Sequence, residues 1–137
     1  GTSDAISRRI ADKLRGGYQP CATRPTRLLA DGDRVGSLLV VATPGHTPGS
    51  QCFHVDGRLV SGDTLFLDGC GRTDFPGSDP AAMYDSLQTL GAMPEGTIVY
   101  PGHRYSQPSS ATIDAIRGSN YVYRPKNKEQ WLAMFGQ

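Results

Sequence analysis

Residues 43–50 decide the fold of this chain, and they read TPGHTPGS. Two prolines and two glycines among eight residues exclude a helix and a regular strand at this place. The run before it, SLLVVAT at residues 37–43, is continuously apolar and of strand length, which is typical of a strand buried on both faces. The sequence therefore predicts a buried strand that ends in an irregular loop, with His46 in the middle of that loop.

Two further polar residues stand in the same setting. Asp63 follows a predicted strand at residues 58–61, His103 follows another at residues 97–100, and each has a glycine beside it, as His46 has. Strand ends place side chains at one edge of a sheet, and a neighbouring glycine lets other groups approach closely. Imidazole nitrogens and carboxylate oxygens are good ligands for zinc, iron or manganese. Taken singly, each residue has an ordinary interpretation, a surface histidine or an aspartate in a turn. Taken together, they make loops that meet around one cation centre a further interpretation, which stays open beside the ordinary ones at this point.

The remaining pattern predicts an α/β fold, since strands, loops and helices follow one another in repeated order. Residues 51–55 and 58–61 flank Asp56-Gly57, which is typical of a type I′ hairpin. Asp79-Pro80 is typical of a helix start and Gly91 of its end. Further elements are predicted as follows: helices at residues 3–14, 110–117 and 128–135, a strand end at 27–30 before a turn at 31–33, and a glycine-rich loop at 67–78. The predicted core residues are Met83, Leu87, Leu90, Trp131, Met134 and Phe135.

Length and charge limit the class of protein. The 137 residues allow one domain at most, and 14 basic against 13 acidic side chains give a net charge of +1. This balance argues against binding to nucleic acid or to a membrane surface through a basic field. With a mean hydropathy of -0.39 and no long apolar run, neither a membrane span nor a signal peptide is expected. The three cysteines, Cys21, Cys52 and Cys70, form no Cys-x-x-Cys pair, which favours a reducing, cytoplasmic location.

The motifs carry a family resemblance. TPGHTPGS at residues 43–50, SGDTLF at 61–66 and YPGH at 100–103 resemble, in their order, three successive motifs of the metallo-β-lactamase superfamily. GCGRTDF at residues 69–75 is similar to the branch that contains glyoxalase II and the persulfide dioxygenases, whose members handle glutathione thioesters or persulfides. The resemblance covers about residues 28–105 and implies the α/β architecture of that superfamily, an αββα sandwich.

The resemblance also implies roles for the site residues. His46 would ligate a first metal, Asp63 would bridge the metals as the catalytic carboxylate, and His103 would ligate a second metal. The implied cofactor is zinc, one or two ions, with iron or manganese as alternatives. The implied reaction is glyoxalase II-like hydrolysis of a thioester or related acyl bond by metal-bound hydroxide. The alternative is an iron-dependent dioxygenase acting on glutathione persulfide, which would use His46 and Asp63 but not His103.

Three more residues are implied to contact the substrate, a small thioester or glutathione-like molecule. Arg72 matches a basic residue that contacts the peptide carboxylate in relatives, while an ion pair with Asp74 or Asp68 is an equally good interpretation. Tyr105 matches a tyrosine that lines the glutathione pocket, or it packs against its own loop. For Thr47 two interpretations of the residue itself are open: a hydroxyl that would donate a hydrogen bond near the metal, or one that stabilises its own turn.

Two other polar side chains receive plain interpretations. Cys70 is expected to be a small buried residue and not a nucleophile. His54, in the middle of a predicted strand, is expected to face solvent or to make a hydrogen bond, and not to ligate metal.

One motif of the family is missing. Two histidines separated by one residue and followed by an Asp-His pair should come first, yet the histidines here are His46, His54 and His103. We therefore expect residues 1–137 to be a single partial domain, the C-terminal half of the fold, that binds metal weakly by itself. Three explanations are open. The first half was lost ahead of Gly1, or it is a separate or cleaved segment, or this half stands alone as a non-catalytic module that binds a partner. The first is favoured, because the strand at residues 37–43 needs neighbours.

Overall fold

A computed structural model describes residues 24–136 of this chain. Within them, one six-stranded sheet has its strands in chain order. The strands are β1 (Arg34–Val35), β2 (Leu38–Ala42), β3 (Gln51–Val55), β4 (Arg58–Gly62), β5 (Ile98–Pro101) and β6 (Ala111–Thr112). Neighbours are antiparallel except β4 and β5, which are parallel. Because a parallel pair requires a crossover, the chain between β4 and β5 carries a helix.

The strand and hairpin predictions around the decisive loop are confirmed. The strand predicted at residues 37–43 is β2. Within it, the consecutive residues Val40 and Val41 point to opposite faces of the sheet, and both are buried. The hairpin is β3 and β4, with φ of 48° at Asp56 and 69° at Gly57, as a type I′ turn requires. The glycine-rich loop at residues 67–78 contains no regular element.

The prediction at the amino-terminal side of the sheet is partly wrong. Residues 27–30 form no strand, and the edge strand is instead Arg34–Val35. The turn at residues 31–33 is confirmed, because the carboxylate of Asp33 accepts a hydrogen bond of 2.8 Å from the amide of Ala30, which ties the chain back on itself. The helix predicted at residues 3–14 and the thiol of Cys21 lie outside the described residues.

Three helices follow: α1 (Pro80–Gly91), α2 (Ile113–Ser119) and α3 (Lys128–Phe135), with a 3-10 turn at Tyr121–Tyr123. The carboxylate of Asp79 caps α1 by accepting from the amides of Ala81 and Ala82, as the Asp-Pro sequence predicted. Helix α2 begins three residues later than predicted, because residues 111–112 pair with β5 as β6 and Thr112 then caps the helix.

The helices pack on one face of the sheet and form the core there. Met83, Leu87 and Leu90 of α1 are fully buried against Cys52, Leu59 and Val99 of the sheet. Trp131 is buried as predicted, and its ring lies 4.3 Å from that of Phe135. The prediction for Met134 is wrong: its side chain is exposed, because α3 turns Trp131, which is buried, and Phe135, which is half-buried, toward the core.

The opposite face of the sheet carries an apolar row. Val40, Phe53, Val60 and Tyr100 are register partners on four adjacent strands and therefore share that face. Val60 and Tyr100 are exposed there, whereas the helix-covered face buries its apolar side chains. Across residues 24–136, no helix has both the length and the apolar character of a membrane span.

Candidate metal centre

The loops that carry the three predicted ligands leave the same edge of the sheet. β2 and β4 are both antiparallel to β3, and β5 is parallel to β4, so β2, β4 and β5 run in one direction. Their carboxyl ends therefore lie side by side, and His46, Asp63 and His103 follow those ends within a few residues. The geometry expected from the strand-end pattern is present in the structure.

Asp63 lies between the two imidazoles. Its Oδ2 is 3.7 Å from Nε2 of His46, and its Oδ1 is 3.2 Å from Nε2 of His103. The two rings thus face different oxygens of one carboxylate. Among residues 24–136, no three His, Cys, Asp or Glu side chains converge on a single point as the ligands of one ion do. The three predicted ligands therefore form two adjoining pairs of side chains that share Asp63, and the prediction of a single shared centre is not met among the described residues.

The ring of His46 is held in a defined orientation. Its Nδ1 lies 2.7 Å from the carbonyl oxygen of Arg72. Since a carbonyl oxygen can only accept, Nδ1 carries the proton and donates it, so Nε2 is the ring nitrogen that faces Asp63. The edge of the ring also packs on Phe75, with ring centroids 6.0 Å apart. This is the hydrogen-bond arrangement that orients a metal-ligating histidine.

Glycine is required at two positions beside Asp63. A Cβ placed on Gly71 would overlap the backbone oxygen of Asp63 and lie 3.0 Å from the ring of His46. A Cβ on Gly102 would lie 2.8 Å from Oδ1 of Asp63. The absence of a side chain at both positions lets the loops of His46 and His103 approach the carboxylate.

A buried polar network lies beneath the ligands, and the sequence patterns did not predict it. The hydroxyl of Thr43, at the end of β2, is 2.9 Å from the hydroxyl of Thr64 and 3.3 Å from the thiol of Cys52. The Thr43, Cys52 and Thr64 side chains are all buried. Because Thr64 follows Asp63 directly, this network joins the start of the His46 loop to the Asp63 loop. Its only sequence signal is a small hydroxyl residue at the end of each strand.

Two aromatic rings flank His103, whose side chain is 51% exposed. The ring of Tyr105 stacks on it at 5.2 Å with an interplanar angle of 14°, and the edge of Phe66 approaches at 6.1 Å. Phe66 also meets Tyr105 edge to face at 5.1 Å. Tyr105 is 70% exposed, so one of its faces remains open to solvent beside the ligand pair. Packing against its own loop, one of the two predicted interpretations, is therefore observed.

Arg72 makes the ion pair that was one of its two predicted interpretations. Its guanidinium donates to both carboxylate oxygens of Asp74, at 2.9 and 2.6 Å, and lies 4.5 Å above the ring of Phe75. The hydrogen bonds from Arg72 lower the pKa of Asp74, and the same bonds raise the pKa of Arg72. The guanidinium remains largely exposed and sits in the segment that holds His46.

Thr47, Cys70 and His54 occupy different surroundings. The hydroxyl of Thr47 is 2.7 Å from that of Ser50, so it stabilises its turn while lining the cavity beside His46 and Asp63. Cys70 is half-buried and not fully buried as predicted, and burial raises the pKa of its thiol to about 12, in agreement with a side chain that is not a nucleophile. His54 is half-buried and its Nε2 is buried with no hydrogen-bond partner among the described residues, contrary to the prediction of a solvent-facing or bonded ring.

The donor set fits divalent transition metals. Imidazole nitrogens and carboxylate oxygens are ligands that zinc, iron and manganese accept. The ring of His46 is held by a hydrogen bond from its other nitrogen, as is usual for a histidine that ligates a metal. The chain can bring these donors together because Gly71 and Gly102, which lack side chains, lie directly against Asp63. Each half of the arrangement offers two protein donors, which is fewer than a closed tetrahedral site uses.

Comparison with known proteins shows similarity in sequence and in fold. The family described as Metallo-beta-lactamase superfamily matches residues 10–103. Hydroxyacylglutathione hydrolase of Aeromonas salmonicida (strain A449) is 41% identical over 115 residues, which cover 81% of this chain and 42% of that protein. ETHE1 from Myxococcus xanthus has a TM-score of 0.71 and 35% identity, covering 80% of this chain and 51% of its own. TTHA1623, solved in a di-iron-bound form, has a TM-score of 0.77 and 33% identity over 86% of this chain and 60% of its own.

The matches cover most of this chain but only part of the curated relatives. The chain spans about two fifths of the length of the curated relatives it matches. The matched family region includes both strand-end histidines and the aspartate between them. The solved relatives share the fold over four fifths of this chain or more. On this evidence of sequence and fold, the chain belongs to the metallo-beta-lactamase superfamily.

Proposed function

We propose that this chain carries half of the metal site of a hydrolase that cleaves hydroxyacyl thioesters of glutathione or closely related acyl bonds. One observation carries the proposal: both oxygens of Asp63 face an imidazole nitrogen, His46 on one side and His103 on the other. A carboxylate shared in this way suits two adjacent cations, whereas a single-iron site built on His46 and Asp63 leaves His103 without a role. The relatives named hydroxyacylglutathione hydrolase support the choice of substrate.

The metal ligands in this proposal are His46, Asp63 and His103, and Asp63 is also the catalytic carboxylate. The fitting cofactor is zinc, one or two ions, with iron or manganese as alternatives, and the di-iron relative supports a site for two cations. When bound, such cations acidify a coordinated water and polarise the acyl carbonyl. The negative charge of Asp63 retains them, and the hydrogen bond from His46 to Arg72 keeps its Nε2 free for coordination.

The substrate contacts in this proposal come from the loops around the ligands. Arg72 offers an exposed guanidinium whose fork fits a peptide carboxylate, and the carboxylate of the substrate would replace Asp74 on it. Tyr105 presents an open ring face next to His103. Thr47 lines the cavity beside His46 and can turn its hydroxyl from Ser50 to the substrate. The proposed location remains the cytoplasm, which the three cysteines without a Cys-x-x-Cys pair favour.

A second candidate function rests on the loop at residues 69–75. GCGRTDF resembles the persulfide dioxygenases, and its Arg72 carbonyl is the group that orients His46. An iron-dependent dioxygenase acting on glutathione persulfide is therefore the alternative. A third candidate, a non-catalytic half-domain that binds a partner, rests on the two-donor pairs at each side of Asp63.

The experiment compares two substrates on the protein encoded by the whole reading frame that contains these residues. The proposal predicts metal-dependent release of free glutathione from S-lactoylglutathione, with no oxygen consumption when glutathione persulfide is supplied. Asp63→Asn should lower kcat/KM by about 100-fold or more, since even residues behind the ligands cost 10- to 100-fold. Asp68→Asn is the matched control, because it removes the same charge from an exposed site in the same loop and should leave the rate unchanged.

Two results would overturn the proposal. Iron content with oxygen uptake and no thioester cleavage would assign the dioxygenase function instead. Absence of both activities, together with a metal content that Asp63→Asn does not alter, would assign the non-catalytic module.

A further inference from the structure

The side-chain amide of Asn120 is buried and joins two segments that are distant in the sequence. It lies between α2 and the 3-10 turn and is 2% exposed. Its Nδ2 donates to the carbonyl oxygens of Phe66 at 3.1 Å and of Gly69 at 3.0 Å, while its Oδ1 accepts from the amide of Gly69 at 2.9 Å and of Val122 at 3.1 Å. All four hydrogen-bonding positions of the side chain are occupied, and three of them go to a loop more than 50 residues away.

That loop, residues 63–72, touches each of the three ligands. It begins at Asp63 itself. Its Phe66 ring packs edge-on against His103. Its last residue, Arg72, accepts the hydrogen bond from His46.

The two ends of the loop are held by partners other than Asn120. Near its start, the amide of Thr64 donates to the carbonyl of Ser61 at 3.0 Å and the hydroxyl of Ser61 donates to the carbonyl of Leu65 at 2.6 Å, and the amide of Gly71 donates to the carbonyl of Thr64 at 3.3 Å. Residues 66–69 have one backbone hydrogen bond of their own, from the amide of Phe66 to the carbonyl of Gly69 at 3.2 Å, and without Asn120 the amide of Gly69 would lose its buried partner, which is costly. The conformation of residues 66–69 therefore depends on the side chain of Asn120.

We propose that Asn120 is a positioning residue for the metal site, which acts by fixing residues 66–69 and through them the rings of His103 and His46. The proposal rests on the proposed function in so far as these histidines bind metal. It differs from a purely local role, in which Oδ1 of Asn120 caps the 3-10 turn through Val122. Asn120→Asp separates the two roles, because aspartate keeps the capping oxygen and loses the two donations to Phe66 and Gly69.

The experiment is histidine-selective 15N NMR of the full chain, with and without zinc. The three histidines give an internal reference, since His54 lies in the middle of β3, away from the loop. Asn120→Asp and Asn120→Ala should move or broaden the ring signals of His46 and His103 and leave those of His54 in place. The zinc concentration at half-saturation should rise about tenfold. Tyr123→Phe is the matched control, because it removes a 2.9 Å hydrogen bond to the carbonyl of Leu87 within the same helical layer. This variant should leave the ring signals of His46 and His103 unchanged.

The outcomes separate positioning from plain stability. If Asn120→Asp lowers the thermal midpoint while the signals of His46 and His103 and the zinc response stay as in the wild type, Asn120 is structural only and the proposal is overturned. If both Asn120 variants fail to fold, Phe66→Leu takes their place. It should shift His103 and leave the Nδ1 proton of His46 unaffected, and an unshifted His103 would overturn the proposal. If the proposed function is wrong, the result is different: the histidine signals of the wild-type chain do not change when zinc is added.

Discussion

The Nδ1–H of His46 donates to the carbonyl oxygen of Arg72 across 2.7 Å, although the two residues are 26 positions apart. This bond joins the loop after β2 to the loop after β4 and fixes the tautomer of His46. Gly71, next to Arg72, is the residue that allows the approach, because any Cβ there would collide with the backbone of Asp63. The orientation of one ligand and the path of the chain near another are thus set by the same segment.

Gly71→Ala should destabilise the fold. The added methyl group meets the backbone oxygen of Asp63 and the ring of His46, so one of the two must move. We expect a loss of about 1–3 kcal/mol in the free energy of unfolding, measured by chemical denaturation. Gly49→Ala is the control, since a Cβ at Gly49 has no atom within 4 Å, and it should change stability by less than about 1 kcal/mol. Equal stability of the two variants would contradict the close approach at Gly71.

The buried hydroxyl pair should show strong coupling. Thr43→Val leaves the hydroxyl of Thr64 without its 2.9 Å partner in a buried site and should cost about 1–3 kcal/mol. Thr43→Val combined with Thr64→Val removes both polar groups, so the double variant should recover part of that loss. A double-mutant cycle by urea denaturation measures the coupling. Strictly additive losses would show that the two hydroxyls do not depend on each other.

The two described thiols should be unreactive in the folded chain. Burial raises the pKa of Cys70 to about 12 and that of Cys52 above its ordinary value. At pH 8 a pKa of 12 leaves about 0.01% of a thiol as the reactive thiolate. A Cys21→Ser chain should therefore react with Ellman's reagent at least about 100-fold faster after denaturant is added. Rapid labelling of the native variant would show that one of these thiols is accessible.

Asp114 should make stability depend on pH in acid. The hydrogen bond from the amide of Gly96 lowers its pKa below the ordinary 3.8. Because the folded-state pKa lies below the unfolded one, the ionised carboxylate contributes stability above the unfolded value, and this is lost as the pH falls through the folded value. Wild type and Asp114→Ala should therefore differ most near neutral pH and converge in acid. Denaturation midpoints along a pH series measure this, and a difference that persists undiminished below the folded-state pKa would refute it.

The sequence predicted correctly those elements that depend on interactions between residues a few positions apart. The hairpin around Asp56-Gly57 and the helix start at Asp79-Pro80 follow from turn and cap chemistry within a few residues. The meeting of His46, Asp63 and His103 followed from strand ends at one edge of a sheet. The hairpin and the helix start needed only local turn and cap residues, whereas the prediction that the three side chains meet also rested on the family resemblance of their motifs.

The features that escaped prediction depend on distant partners. Asn120 contacts a loop more than 50 residues away, and Thr43 meets Thr64 across two strands, so neither contact leaves a local pattern. The edge strand at Arg34–Val35 and the late start of α2 arise from pairing with neighbouring strands, which overrides local preference. Arg72 had two equally good interpretations until the structure placed its guanidinium on Asp74.

The central claim is that His46, Asp63 and His103 are metal ligands arranged as two pairs around one carboxylate. Anomalous diffraction at the zinc edge, from crystals of the chain grown with zinc, tests it most directly. The account predicts metal peaks on the two sides of the Asp63 carboxylate, about 2.0–2.1 Å from Nε2 of His46 and from Nε2 of His103. Zinc bound elsewhere on the chain, with these three side chains uncoordinated, would contradict it.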